Sequence, residues 1–221
     1  MPELLREQVY QAIKLDILKG VYKAGEQLSA NQLSERYQLS ATPIREALSA
    51  LQREGLVEII PRVGCFVSYV TIKDVQDIFQ LRLILEGASA EIAARHITDE
   101  ELHSLEQIEH DYVLGDMDTY TRYLEANRKF HHGLALATRN QRLAEIVGNL
   151  LDQMQRLIFL GLDLDDYADN MVEHHPNVIA ALKKRDGAEA RRIMVEGIEK
   201  TRDAVLASIM RGSSVPIRYP R

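Results

Sequence analysis

Tryptophan is absent from this chain, cysteine occurs once, and phenylalanine occurs only four times. A core built with so few rings must be mostly aliphatic. The single cysteine, Cys65, excludes an internal disulfide and suits a reducing cytoplasm, where the chain is expected to reside. No apolar run approaches the about 20 residues that a membrane-spanning helix needs. Glu3, Arg6 and Glu7 interrupt the first apolar residues, which argues against a signal peptide. There is no Gly-rich phosphate loop, no paired Glu-x-x-His set and no defensible Ser/His/Asp order. Basic excess is lacking too: 27 Lys and Arg face 33 Asp and Glu, a net charge of −6, so composition alone does not suggest nucleic acid. The charge is uneven, however. Residues 1–70 hold 8 basic and 8 acidic side chains, so the acidity belongs to the remainder.

What is present is a 221-residue chain, 46% hydrophobic and 27% charged, long enough for one large domain or two smaller ones. Its most informative stretch is Ser29–Leu56. Ser29 lies three residues before Gln32, a capping-box start for a short helix. Gln38-Leu39-Ser40 is a turn. A second helix starts at Ser40 or Thr42, with Pro43 in a first turn that needs no N–H. Ile44, Ala47, Leu48 and Leu51 follow the helical period and form one buried stripe, while Thr42, Arg45, Ser49 and Gln52 project elsewhere. A helix-turn-helix places such a polar face in the major groove. Upstream, residues 4–19 have helical spacing, Gly20 stops that helix, and residues 21–26 are a loop. Downstream, Gly55 ends the second helix. Leu56–Ile60 and Cys65–Val70 are rich in β-branched and aromatic residues, and Pro61-Arg62-Val63-Gly64 separates them as a turn. Three helices and a hairpin make a winged helix-turn-helix over residues 1–70, with Arg62 and Gly64 at the tip of the wing.

From Thr71 the pattern is helical throughout. Six segments are expected, at about 71–95, 98–114, 116–137, 140–161, 165–184 and 186–210. Thr98/Glu101 and Asp186/Glu189 have capping-box spacing. Ile78, Leu81, Leu85, Ala88 and Ile92 form an apolar stripe on the first segment. The fold class is therefore mostly α: the winged helix, then an antiparallel helical bundle over 71–211 and a loose tail over 212–221. Asn127 and His131 share a helix face, and His175 lies on a later helix. Arg82 and Glu86 are spaced for a salt bridge. Alternatively, Arg82 holds a carboxylate from outside the chain. Asp163, Asp165 and Asp166 read as a solvated helix start rather than a metal cluster. Tyr112, Tyr120 and Tyr123 read as core and rim, and Cys65 has no neighbouring base to make it a nucleophile.

Several motifs together resemble the GntR superfamily of bacterial transcription regulators. They are Leu33-Ser34-Glu35-Arg36-Tyr37, Ser40 to Leu48, Leu51-x-x-Glu54-Gly55-Leu56, and Pro61-Arg62-x-Gly64-x-Phe66-Val67. Leu81-Arg82-x-x-Leu85-Glu86, Ile97 to Leu102, Asn127-x-x-Phe130-His131, and Glu173-His174-His175 before Ile179 and Leu182 resemble the FCD effector domain of the FadR subfamily. Six helical segments suit its VanR-like group. The resemblance implies a homodimer that binds a palindromic double-stranded operator, most often as a repressor, under the control of a small-molecule effector such as an organic acid. It assigns DNA contact to Ser40, Thr42, Arg45, Arg62 and Gly64. It assigns the effector to Arg82, Asn127, His131 and His175. Asn31 and Ala41 stand where arginine is frequent in the family, so the operator should differ from those of better-known members.

The resemblance also implies a divalent metal, zinc, nickel or manganese, held by Asn127, His131 and His175. The position of the usual last histidine falls on Gly197. Glu196 and His174 are adjacent, but each points about 100° away on an ideal helix. Gly197 leaves volume for a larger ligand. With no cofactor required by the remaining residues, two readings of the histidines stay open: a metal centre, or hydrogen-bonded pocket residues. Two rivals to a regulator also stay open, a metal-dependent helical hydrolase and a winged-helix protein-interaction module with no DNA partner.

Overall fold

The computed structural model describes residues 2–69, 71–108, 117–159 and 174–210. Asp163, Asp165, Asp166, Tyr112 and the tail expected over 212–221 lie outside the described residues. The chain divides into two compact units, with the boundary at Ile72/Lys73 and α7 shared between them at Met154. The first unit contains α1 (Pro2–Leu18), α2 (Ala30–Tyr37), α3 (Ala41–Arg53), β1 (Val57–Ile60) and β2 (Gly64–Val67). β1 and β2 pair antiparallel, with Val57 opposite Val67 and Ile60 opposite Gly64. One core joins all five: Val9, Ile13 and Ile17 from α1, Leu33 from α2, Ile44, Ala47, Leu48 and Leu51 from α3, and Val57, Cys65 and Val67 from the hairpin. This is the expected winged helix, down to the four residues of the α3 stripe.

Two local details differ from the sequence reading. Ser29 occupies the cap position of α2, but its side chain makes no cap hydrogen bond, so the capping box with Gln32 does not form. The segment expected as a loop before α2 runs along β2 as a third backbone partner. Gly25 donates to the Val67 carbonyl at 2.8 Å, Val67 donates to the Glu26 carbonyl at 2.9 Å, and Leu28 donates to the Cys65 carbonyl at 2.8 Å. The free edge of a two-stranded sheet is thereby covered. Gly25 is required there: its φ is +80°, and a Cβ would meet the Tyr69 hydroxyl at 2.1 Å. Side-chain polar contacts fix α1 against the end of α3. Lys14 Nζ lies 2.8 Å from Glu54 Oε2, just past the end of α3, and Tyr10 donates to the same carboxylate. Burial and that carboxylate push the Tyr10 hydroxyl up to about 12.

The second unit is helical in its described residues: α4 (Ile72–His96), α5 (Asp99–Glu106), α6 (Met117–Ala137), α7 (Gln141–Phe159), α8 (His174–Lys183) and α9 (Gly187–Met210). α8 packs on α9, and α5 packs on α6 and α8. The expected face of α4 is corrected. The buried positions are Val75, Ile78, Phe79, Arg82, Glu86, Ser89, Ala90 and Ala93, whereas Leu81 is 45% and Ile92 36% exposed. α4 carries two faces of helical period. The face bearing charge turns inward because Arg82 and Glu86 neutralise one another there.

The ends of the bundle helices are tied by caps and by two arginines. Thr98 Oγ1 accepts from the Glu101 N–H at 3.1 Å while Glu101 Oε2 accepts from the Thr98 N–H at 2.9 Å, the full capping box. At Asp186 only half forms, because the Glu189 carboxylate is held by Arg192 instead. Arg139 and Arg185 both have left-handed backbones, φ +64° and +56°, at the α6–α7 and α8–α9 corners. Arg139 donates to the His96 carbonyl at 3.0 Å and to Glu101. Arg185 donates to the Ile97 carbonyl and to Asp99 at 3.1 Å. The two loops thus clamp the α4–α5 junction from separate corners. The Arg139 guanidinium and the Thr98 N–H hold the Glu101 carboxyl down at about 2. Thr98→Ala removes an acceptor that nothing else at the cap replaces. It should lower stability by about 1 kcal/mol, read as a shift of the urea midpoint with unchanged slope.

Candidate DNA-reading face and buried polar cavity

The N-terminal half of α3 presents the polar face expected of a reading helix. Thr42 and Arg45 are exposed, and Ser40, at the cap position, is exposed and makes no cap bond. A guanidinium on a surface usually finds a carboxylate, and Glu46 and Glu35 are the neighbours for Arg45. Neither serves: Glu46 faces Arg6 at 4.0 Å, and Arg45 has no ion pair among the described residues. Arg45 instead stands between two grooves. One, of about 740 Å³, runs between α1 and α3 and includes Thr42 and Ser49. The other, of about 490 Å³, runs toward the wing and includes Asn31, Ser49 and Gly64. Three of the five expected DNA residues, Thr42, Arg45 and Gly64, thus line these two grooves of the first unit, while Ser40 is exposed at the start of α3 and Arg62 sits exposed at the wing turn with φ +64°. Sequence reasoning missed Gln27, whose amide lies 2.6 Å from the place a Cβ on Gly64 would take. No spacing rule connects a loop residue to a hairpin that far along the chain. Cys65 is buried in the wing, and burial pushes its thiol up to about 11, so it is no nucleophile.

The second unit brings together Arg82 from α4, Asn127 and His131 from α6, and His175 from α8, all less than 10% exposed. They form a chain of contacts. Arg82 Nε meets Glu86 Oε1 at 2.5 Å, Glu86 Oε2 meets His131 Nδ1 at 2.5 Å, and His131 Nε2 lies 3.2 Å from His175 Nε2. Phe130 stacks on His175 with ring centres 3.8 Å apart. Arg82, Asn127, His131 and His175 border a cavity of about 20 Å³, room for one water molecule or one ion. The Arg82 cation is engaged by Glu86, so the salt-bridge reading of this pair is the one the geometry realises. Gly197 does not leave open volume: a Cβ there would lie 2.8 Å from Cγ and Cδ2 of His174. The His174 ring fills that space and borders the cavity, although helical geometry pointed it elsewhere. Glu86, as the partner of His131, was not foreseen; its place on the same α4 face as Arg82 is the signal that was available.

The donor set fits a divalent cation in part of its shell. Two imidazole nitrogens 3.2 Å apart match two ligands on one ion, which at ~2.0–2.1 Å bonds sit roughly 3.3 Å apart. The Glu86 carboxylate on the far nitrogen of His131 is the outer contact that fixes such a ligand's tautomer. Asn127 Oδ1 is buried at the cavity without a hydrogen-bond donor. Among the described residues no three His, Cys, Asp or Glu side chains are grouped as a metal site, so the third protein donor present is this neutral oxygen.

Comparison with known proteins follows the division into two units. Residues 5–67 match the family described as "Bacterial regulatory proteins, gntR family", and residues 77–200, more than half of the chain, match the FCD domain. The HTH-type transcriptional repressor RspR of Escherichia coli is 26% identical over 91% of this chain and 89% of its own length. The gluconate operon transcriptional repressor of Bacillus licheniformis is 26% identical over 89% of this chain and 82% of its own. Among solved structures, McbR/YncC of E. coli superposes with a TM-score of 0.75 at 24% identity, covering 93% of this chain and 98% of that one. A regulator from Rhodococcus gives 0.76 at 19% identity, covering 91% and 97%. These structural likenesses are likenesses of fold. The matched families and relatives are transcription regulators and not enzymes, which removes the hydrolase reading.

The buried ion pair has a pH signature. Burial alone raises the Glu86 carboxyl, but the Arg82 charge and then His131 outweigh it and hold it down at about 2, below its ordinary 4.5. A depressed carboxyl contributes stability that is complete above pH 4.5 and is lost as pH falls toward 2. Glu86→Gln leaves Arg82 buried without its counter-charge and should cost about 3–5 kcal/mol at neutral pH. Urea unfolding between pH 2 and 5 should show a shallower pH dependence in the variant than in the parent.

Proposed function

The chain belongs to the gntR family of bacterial transcription regulators with an FCD domain, and on that premise we propose that it is a repressor whose hold on a palindromic operator is set by a small-molecule effector. The observation that carries the DNA assignment is Arg45: exposed on the reading helix, without an ion pair among the described residues, between two grooves. Ser40 and Thr42 share its end of α3, and Arg62 and Gly64 supply the wing. With Ala41 and Asn31 in place of arginines, base discrimination rests on Arg45. A bidentate Arg–guanine contact is worth ~1–3 kcal/mol, so Arg45→Ala should weaken operator binding by roughly 5- to 150-fold in a gel shift at fixed salt. It should erase most of the preference over unrelated DNA. Unchanged operator affinity would sink the assignment.

Two half-sites call for two winged helices, and the outer face of α4 suggests how they are paired. Leu81, Ile84 and Ile92 are exposed at helical spacing on α4, Ile146 is exposed on α7, and Leu85 and Leu143 pack on one common cluster beneath. An apolar strip of this extent is a protein-contact surface. Two copies of α4 crossing antiparallel about Ile84, the middle of the helix, would bury the same apolar side chains from both, a self-complementary arrangement. Ile84→Glu should convert the dimer to a monomer by light scattering and weaken operator binding with it, while circular dichroism stays unchanged.

The effector, an organic acid by analogy with the family, belongs at Arg82, Asn127, His131 and His175. These four buried polar groups, from three helices, border one cavity, and that is what supports the reading. The cavity admits nothing larger than an ion or a water in this arrangement. An acid must therefore select an arrangement in which the walls part, and its differential affinity for that arrangement is what would shift operator binding. A divalent cation, zinc, nickel or manganese, would be held by His131 Nε2, His175 Nε2 and Asn127 Oδ1, and would supply positive charge for a carboxylate. No helix in the described residues is long and apolar enough to cross a membrane, and the cytoplasm is the compartment where such a regulator meets DNA.

A further inference from the structure

Gly197 and His174 are complementary. α9 lacks a side chain at Gly197, and the ring of His174, from the first turn of α8, sits where that side chain would begin. The Cγ and Cδ2 atoms of the ring are both 2.8 Å from the missing Cβ position. The same ring borders the cavity that holds His131, His175 and Asn127. An imidazole rooted at position 197 would therefore have projected from the space that the His174 ring now fills. His174 also borders a surface groove of about 460 Å³ between α8 and α9, shared with Asn177, Ile193 and Glu196. It stands in the wall between outside and inside, bordering both the outer groove and the inner cavity.

Resting on the cation reading above, we propose that His174 is the third imidazole of this site. It is supplied by α8 in place of the one α9 lacks, and it is drawn inward when a divalent cation binds. Gly197 is then a requirement of the site, since a Cβ there would occupy the ring's position. The physical reason is the donor count. Two neutral imidazoles and an amide oxygen leave a Zn²⁺ or Ni²⁺ short of the donors these ions take from proteins. The half-buried His174 imidazole, whose Nε2 is sealed from solvent, borders the same cavity of about 20 Å³ and is a group able to supply one. Glu196 neighbours Gly197 in sequence, but it borders the outer groove, is paired with Arg192 at 2.6 Å and is not among the residues of the inner cavity.

The test is metal affinity in untagged, chelator-stripped full-length protein, measured with Zn²⁺ and with Ni²⁺ by competition against a chromophoric chelator. Melting temperature and circular dichroism serve as checks on folding. The parent should bind one ion per chain. His174→Ala should weaken binding by about tenfold or more, Glu196→Ala should leave it unchanged, and His174→Ala combined with Gly197→His should restore it by returning the imidazole to α9. Binding equal to the parent in His174→Ala overturns the role of His174 while leaving the cation reading intact. Binding lost in His174→Ala but not restored in the folded double variant assigns His174 a packing role and overturns the proposal as well. No binding by the parent overturns the cation reading itself, and the proposal with it.

Discussion

Two opposite charges sealed into the inward face of α4 set the constraint on which the helical unit depends. Arg82 and Glu86 each lose their hydration on folding, and only a close pairing with further hydrogen-bonding contacts makes that tolerable. The requirement fixes the rotation of α4, because turning the helix by one residue would separate the pair from His131 and leave charge in an aliphatic core. His131 in turn fixes α6, and through its second nitrogen it meets His175 and fixes α8. A run of polar contacts therefore does in this bundle what knobs and ridges do in an apolar one. It specifies which faces meet, while the surrounding leucines, alanines and Phe130 supply the burial. A cavity is left at the end of the run, bordered by Asn127, whose side-chain acceptor meets no donor, and by the His174 ring that fills the space beside Gly197.

The winged helix was legible in the sequence because local signals agreed there. The period of Ile44, Ala47, Leu48 and Leu51, the Pro43 first turn, the Gly55 stop and two β-branched runs around a Pro-containing turn all point to one arrangement, and all of them hold. What was not legible is long-range. The pairing of residues 25–28 with β2 needs a partner some forty residues away, and the Lys14–Glu54 tie joins two helices whose spacing is invisible to a periodicity count. In the bundle the existence and order of the helices were readable, and the full capping box at Thr98 was too. The inward face of α4 was not. Hydropathy favoured the stripe through Leu81 and Ile92, which is the exposed one, and a charged pair does not announce that it will be buried. The residues of the polar cavity were correctly gathered, but their partners, Glu86 and His174, are decided by side-chain contacts that one helix's geometry cannot show.

The distribution of charge gives the division of labour a physical basis. A winged helix with balanced charge keeps only modest attraction for phosphates, so in the proposed reading selection of the site falls to contacts such as the one assigned to Arg45. The acidic remainder of the chain is repelled by the duplex, which favours approach by the first unit. Weak general attraction combined with few base readers makes a regulator that leaves unrelated sequence readily.

Arg139 and Arg185 have a consequence for how the gene can change. Surface corners between helices are ordinarily where added or deleted residues do least harm. Here each corner carries one arginine in a left-handed backbone, and that arginine reaches a carbonyl at the end of α4 and an acid in the first turn of α5. A single inserted residue would rotate the guanidinium away from both. The turns at the α6–α7 and α8–α9 corners should thus be fixed in length across natural variants, with substitution tolerated around the arginines and length change refused.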